Sequence, residues 1–392
     1  MAGALATPAD AAARRVRERI ARLGPLSFED FLDIALYDPE GGFFAGGGGG
    51  AGRRGHFLTS PEVGPLFAAV VARALDAWWA ELGRPDPFVV VEAGAGAGTL
   101  AAGVLSAAGA CAPALRYVLV ERSEPLRARQ AERLALESPA TVLGAPAGDG
   151  EGEGGDGPRP GPGAGPLATS LAGPPAAPLT GVVVANELVD TLPFLLLERR
   201  PEGWHEVRVG AGAGGTALAE VLVPAAPSLA AEADRLAPGA PVGGRIPLQH
   251  QARAWLGSAL SVLRRGRVVV VDYADATASL AARPWTDWLR TYRSHGRGGG
   301  PLENPGGQDV TCEVAVDQLA AVRPPSGDAP QARFLAAHGI DDLVADARAA
   351  WHAGAAAGTL APLAARSRVG EAAALVDPAG LGAFRVLEWV VE

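Results

Sequence analysis

The segment from Phe88 to Thr99, Phe-Val-Val-Val-Glu-Ala-Gly-Ala-Gly-Ala-Gly-Thr, constrains this chain more than any other. An unbroken, β-branched apolar run marks a strand covered on both faces. The glycines after it let the backbone turn tightly and let a ligand approach with no Cβ in the way. A helical run from Thr99 to Ala107 follows directly. Its N-terminus brings unpaired N–H groups and the positive end of a dipole up behind the turn.

Three more apolar runs repeat the opening. Tyr117–Val120 ends at Glu121, Gly181–Ala185 at Asn186, and Arg267–Val271 at Asp272, with a helical stretch at Arg127–Leu136. Strands alternating with helices predict an open α/β sheet. Ahead of it, Arg14–Leu23 and Phe28–Tyr37 read as helices, the second capped by Ser27 and stopped by Pro39, Gly41 and Gly42. Ser60 caps a further helix with Pro61 at its first position and an apolar stripe through Leu66, Val70, Ala74 and Trp78. The expected organisation is a helical N-terminal extension, residues 1–84, closing the cofactor pocket of a domain at 85–392. Two insertions interrupt that domain. Residues 144–180 are expected to be without packed structure, because 13 of the 19 residues from Gly148 to Pro166 are Gly or Pro. Residues 195–225 are expected to form a β-hairpin about Pro201–Gly203. The glycine tract Gly46–Gly50 reads as a loop tip.

Composition removes several classes of function. The net charge of −9 leaves no basic footprint for nucleic acid. Two isolated cysteines, Cys111 and Cys312, make neither a disulfide framework nor a zinc site. No apolar stretch approaches the ~18 residues of a membrane span, and the first 24 residues lack a secretory signal's apolar region. The expected setting is the cytoplasm.

Spacing then separates cofactors. A dinucleotide turn asks for Gly-x-Gly-x-x-Gly, but position 99 is Thr. Glu92-x-Gly94-x-Gly96-x-Gly98 is instead the spelling of S-adenosylmethionine (SAM) methyltransferases. Glu121, at the end of the next strand, can accept both ribose hydroxyls, a role common to SAM and NAD sites. Asn186-Glu187-Leu188-Val189-Asp190-Thr191-Leu192-Pro193 follows the next buried strand, at the end where open α/β sheets bind ligands. Carboxylates there can clamp a guanidinium by paired charge-assisted bonds. Asn, Asp and Pro are also ordinary turn residues. Asp190 is expected to hold the motif in place, so that Asp190→Asn costs stability as well as rate.

With these pieces placed, the chain resembles the MidA family of SAM-dependent methyltransferases, which includes a mitochondrial assembly factor of respiratory complex I. Phe31–Phe44, Gly55–Glu62, Glu92–Leu100 and Asn186–Pro193 follow the family's motifs. So do Asp272-Tyr273, Leu289–Tyr292, Pro305-Gly306 with Asp309–Thr311, and Gly382–Leu387, all in the same order. His56 stands where the family has aspartate. The resemblance implies a class I, Rossmann-like methyltransferase sheet with SAM at Glu92, Gly94, Gly96, Gly98, Thr99 and Glu121. It places Thr59, Ser60, Pro61 and Glu62 over the cofactor. For the family's eukaryotic member it further implies a protein arginine as acceptor, a respiratory-complex subunit being the candidate partner. Asn186, Glu187 and Asp190, from their place after the buried strand, are the candidate catalytic residues. Two rival readings remain at this point: a non-catalytic assembly protein on the same fold, and an NAD-dependent oxidoreductase.

Overall fold

The structure is a computed structural model that describes residues 8–45, 59–144, 163–176, 178–212, 214–215, 217–293, 296–354 and 360–392. The apolar runs pair with one another. Phe88–Ala93 (β1), Leu115–Val120 (β2), Leu167–Leu171 (β3), Leu179–Asn186 (β4), Leu263–Asp272 (β5), Gly327–Pro330 (β6) and Arg385–Val391 (β7) form one sheet, in the order β3-β2-β1-β4-β5-β7-β6. The pairs β1–β2, β2–β3, β1–β4 and β4–β5 are parallel, and β6 runs antiparallel to β7. Dinucleotide-binding sheets have the order 3-2-1-4-5-6. Here an extra strand, β7, lies between β5 and β6. Strand order reverses between β1 and β4, and ligands of open α/β sheets bind at that reversal, beyond the carboxyl ends.

All six residues of β1 are buried. Covering such a strand takes a helix layer, and Pro65–Glu81 and Thr99–Ala107 supply one. Leu66, Val70, Leu75 and Trp78 of the first helix and Leu100 and Val104 of the second share a core with Val90, Val182, Val184 and Val269. At about 25 cal/mol per Å², each fully buried Val or Leu contributes roughly 1.5–3 kcal/mol.

The chain folds as two compact units whose boundary differs from the expected one at 84/85. The sheet unit comprises Leu58–Asn186, Ala259–Val271 and Pro325–Glu392; the other comprises Met1–Phe57, Glu187–Ser258 and Asp272–Pro324. Helix Pro65–Glu81 thus belongs to the sheet, because its apolar stripe is buried there. In the second unit, helices Pro8–Leu23 and Phe28–Tyr37 accompany a five-stranded sheet. The Ser27 hydroxyl accepts from Asp30 N–H at 3.0 Å, capping the second helix. Strands Leu195–Arg200 and Gly203–Ala211 pair antiparallel about the Pro201 turn, and Leu26–Ser27, Leu218–Pro224 and Arg245–Leu248 extend them. The hairpin is therefore the middle of a larger sheet. Phe28, Phe31, Leu32, Leu36, Phe194, Val207 and Trp288 fill this unit's core.

One expectation is corrected. Within 144–180, Leu167–Leu171 is a strand, paired with β2 from Arg116↔Leu167 to Val120↔Leu171. Leu-Ala-Thr-Ser-Leu lacks a β-branched run because it is an edge strand. It takes its hydrogen bonds from one neighbour and buries chiefly Ala168 and Thr169. Residues 145–162 of that tract lie outside the described residues, as do Gly46–Gly50 and His56. Among the described residues no helix is long and apolar enough to cross a membrane.

Candidate functional site

Gly94, Gly96 and Gly98 all have positive φ, at 68°, 52° and 79°. These left-handed conformations are cheap only for glycine. The turn closes with Gly98 N–H donating to Ala95 O at 2.9 Å, and helix Thr99–Ala107 begins there. Glu121, just past β2, anchors the turn. Its Oε2 accepts from Gly96 N–H at 2.9 Å and its Oε1 from Ser123 N–H at 2.8 Å. Burial pushes its carboxyl pKa up, while those two N–H groups and the nearby Arg127 pull it back. Glu92 faces the interior. It is 5% exposed, and its Oε2 accepts from Tyr117 OH at 2.7 Å. Burial, only partly offset by that bond, pushes its carboxyl up to about 8. Glu92 therefore supports the turn from below.

Ser60–Val63 is a single helical turn packed beside Thr99–Ala107. Thr59 N–H donates to Glu62 Oε2 at 3.3 Å, and Pro61 occupies the first turn. Ser60 is fully buried, its hydroxyl donating to Gln331 Oε1 at 3.0 Å. The N-terminus of the following helix is capped from afar, Leu66 N–H donating to Glu371 Oε2 at 3.0 Å. A Cβ at Gly64 would stand 2.2 Å from that carboxyl, so a larger residue there would push Glu371 aside. Asn186 ends β4, and Ala93 pairs with Ala185, so the glycine turn and Asn186 follow paired residues at the carboxyl ends of two central strands.

In the second unit a set of acids gathers. Glu187 holds φ 51°, a strained value for a non-glycine residue and one that concentrates at functional sites. Val189–Thr191 forms a short 3₁₀ turn. The Asp272 Oδ2 accepts from Val189 N–H at 3.1 Å and Asp190 N–H at 3.2 Å, and its Oδ1 from Tyr273 N–H at 3.1 Å. Tyr273 OH donates to Asp190 Oδ2. Burial raises Asp190, Asp272 and Asp309. Asp190 is pushed up to about 6. Asp309, with the added repulsion of Asp190, goes up to about 7. Asp272 goes well above its usual range, Asp190 and Glu187 adding repulsion. Among the described residues no ion pair reaches Asp190, Asp272 or Asp309. In the sequence Asp272, Tyr273 and Asp309 stand out only as letters of the shared motifs. The signal for Asp272 was its place at the carboxyl end of a buried strand, the same signal that marked Asn186.

A parallel sheet with a Glu-x-Gly-x-Gly-x-Gly turn at its order reversal and a carboxylate after the next strand defines the class of SAM-binding methyltransferase cores. Residues 70–326 match the model of the family described as "Putative S-adenosyl-L-methionine-dependent methyltransferase". The chain belongs to this family, the MidA group, and to its Rossmann-like fold. A crystal structure of a COG1565 superfamily member from Burkholderia thailandensis, bound to S-adenosyl-homocysteine (SAH), is 28% identical with a TM-score of 0.78, covering 98% of this chain and 92% of that one. Among curated proteins, the fly protein arginine methyltransferase NDUFAF7 homolog is 37% identical over 24% of this chain and 21% of its own length. The mouse NDUFAF7 is 27% identical over 50% and 44%. The chain thus spans less than half the length of these two relatives. The Xenopus tropicalis protein aligns over 86% of this chain and 77% of its own, at 24% identity. These relatives are named as mitochondrial proteins, which overturns the expected cytoplasmic setting. Family membership also removes the oxidoreductase reading.

Proposed function

We propose that this chain transfers a methyl group from SAM to a guanidinium nitrogen of a protein arginine. The cofactor's sulfonium supplies an activated methyl group. The glycine turn suits that cofactor: among the described residues a Cβ at Gly96 would meet no atom within 4 Å beyond its chain neighbours, and the Glu121 carboxylate stands one hydrogen bond away. Backbone groups of Gly94, Gly96, Gly98 and Thr99 and the Glu121 carboxylate would hold it. Ser60 and Glu92 are turned inward and fix the segments of Thr59, Pro61, Glu62 and the glycines.

The observation that carries the arginine reading is the acid set of buried Asp190 and Asp272 and half-buried Asp309, with Glu187 beside it. Carboxylates whose pKa values are raised by burial and mutual repulsion are relieved by a cation. A guanidinium remains protonated and offers five donors to such a set. Glu187 and Asp190 would orient the acceptor nitrogen, with Asn186 beside them in the chain. Names of the relatives as protein arginine methyltransferases support the same acceptor. A respiratory-complex subunit remains the proposed partner.

The test is incubation with labelled SAM and cell lysate, then mass spectrometry of labelled bands. Methyl-arginine in a protein is the expected product. Glu187→Gln should lower turnover about 10²-fold, the size of a positioning loss, with the SAM dissociation constant little changed. Wild-type turnover in Glu187→Gln would make that carboxylate structural, absence of any labelled protein with the wild type would favour the assembly-protein reading, and label on another residue type would refute arginine.

A further inference from the structure

Both backbone polar groups of Gly96 are held by side chains from one short stretch of chain. Its N–H donates to Glu121 Oε2 at 2.9 Å, and its carbonyl accepts from Gln130 Nε2 at 2.8 Å. Gln130 closes helix Glu124–Gln130, whose first turn Ser123 caps. The side chain is fully buried. A primary amide in that position costs free energy unless its hydrogen bonds are made, and an apolar side chain of equal size would avoid the cost. The Gln130 Oε1 makes no hydrogen bond among the described residues, so the amide is used only as a donor to residue 96. Its stem is packed under the turn, with Cγ 3.5 Å from where a Cβ at Gly98 would lie and Leu119 at 3.2 Å.

A glycine visits left-handed and right-handed backbone regions with similar ease. A turn with glycine at 94, 96 and 98 is therefore poorly determined by its own sequence. Something outside it must select one conformation.

We propose that Gln130 is a positioning residue of the cofactor site, tethering the Gly96 carbonyl so that the Gly96 N–H stays aimed at Glu121. This rests on the reading of the glycine turn and Glu121 as the SAM site. A turn freed from the tether would have to be ordered on binding, and that ordering is subtracted from affinity.

The experiment pairs SAH calorimetry with hydrogen exchange of the ligand-free protein over residues 92–100. Gln130→Met keeps length and volume but removes the donor. It should weaken SAH about tenfold, the scale of one buried hydrogen bond, and speed exchange at Gly96. Gln130→Glu gives a pH signature that core filling alone would not. Its new carboxyl can donate to the carbonyl when protonated and cannot when ionised. Affinity relative to wild type should recover at pH 5.5 and fall at pH 8. Taking the ratio at each pH removes the titration that Glu92 and Glu121 show in both proteins, with Arg127 beside Glu121 unchanged in both. If Gln130→Met fails to fold, the pH ratio of Gln130→Glu decides. Wild-type affinity and exchange in Gln130→Met, or a flat pH ratio in Gln130→Glu, would overturn the tether. Absence of SAH binding by the wild type would instead refute the cofactor reading, and exchange at Gly96 would still judge Gln130.

Discussion

Gly96 and Asp190 show how little a residue type says until its surroundings are known. At Gly96 a Cβ would touch no atom of the described residues beyond its chain neighbours, so they tolerate one sterically. The cost is the φ of 52°, about 1–2 kcal/mol for an alanine held left-handed. Gly96→Ala should therefore fold, with a modestly lower melting temperature, while SAH affinity drops at least tenfold because the methyl group enters the space offered to the cofactor. Retention of wild-type SAH affinity by calorimetry would remove Gly96 from the site. The burial of Asp190 argues against the stabilising role expected of it. Its carboxyl is 2% exposed and pushed up to about 6, so above that pH the folded state holds a charge that burial disfavours. Asp190→Asn keeps an oxygen to accept from Tyr273 OH and removes the charge. At pH 7.5 its melting temperature should equal or exceed that of the wild type, with turnover falling. Stability given up for function is the usual mark of such a residue. A melting temperature several degrees lower would restore the structural role first expected of Asp190.

At the scale of elements, β1, β2 and the helix after the glycine turn are joined by one buried carboxyl. Glu92 on β1 accepts from Tyr117 on β2, and the Ala101 backbone also bonds to it. With its pKa moved from 4.5 to about 8, the folded chain binds a proton there that the unfolded chain releases. Stability must therefore fall as pH rises through that window. Glu92→Gln keeps an acceptor for Tyr117 and cannot ionise. Its gain in melting temperature over wild type should be larger at pH 8 than at pH 5, measured by calorimetric scans at both. An equal difference at the two values would mean Glu92 is ionised throughout. The strand–turn–helix around Glu92 was legible because period and glycine spacing are local properties. Strand β3 was not, because an edge strand is specified by its neighbour β2, and its own five residues carry no periodic signal.

For the whole molecule, cofactor binding and stability are linked. A ligand that binds only the folded chain stabilises it by about 2.7 kcal/mol at a hundred times its dissociation constant. SAH should raise the melting temperature in a concentration-dependent way, and NAD should leave it unchanged. A shift with NAD and none with SAH would contradict the family's chemistry. The chain crosses between its two units at 186/187 and 271/272, the carboxyl ends of β4 and β5.

The sequence by itself determined the parallel sheet, the glycine turn with Glu121, and the order of the motifs. All depend on composition and spacing within about a dozen neighbouring residues. Tertiary structure alone decided that Glu92 and Ser60 point inward, that Gln130 and Glu371 hold backbone groups far away in the chain, and that Asp190, Asp272, Tyr273 and Asp309 meet. Those facts depend on which side chains share a buried, weakly screened space. Folding brings them together from segments up to 305 residues apart, as for Leu66 and Glu371, and no local pattern records that distance.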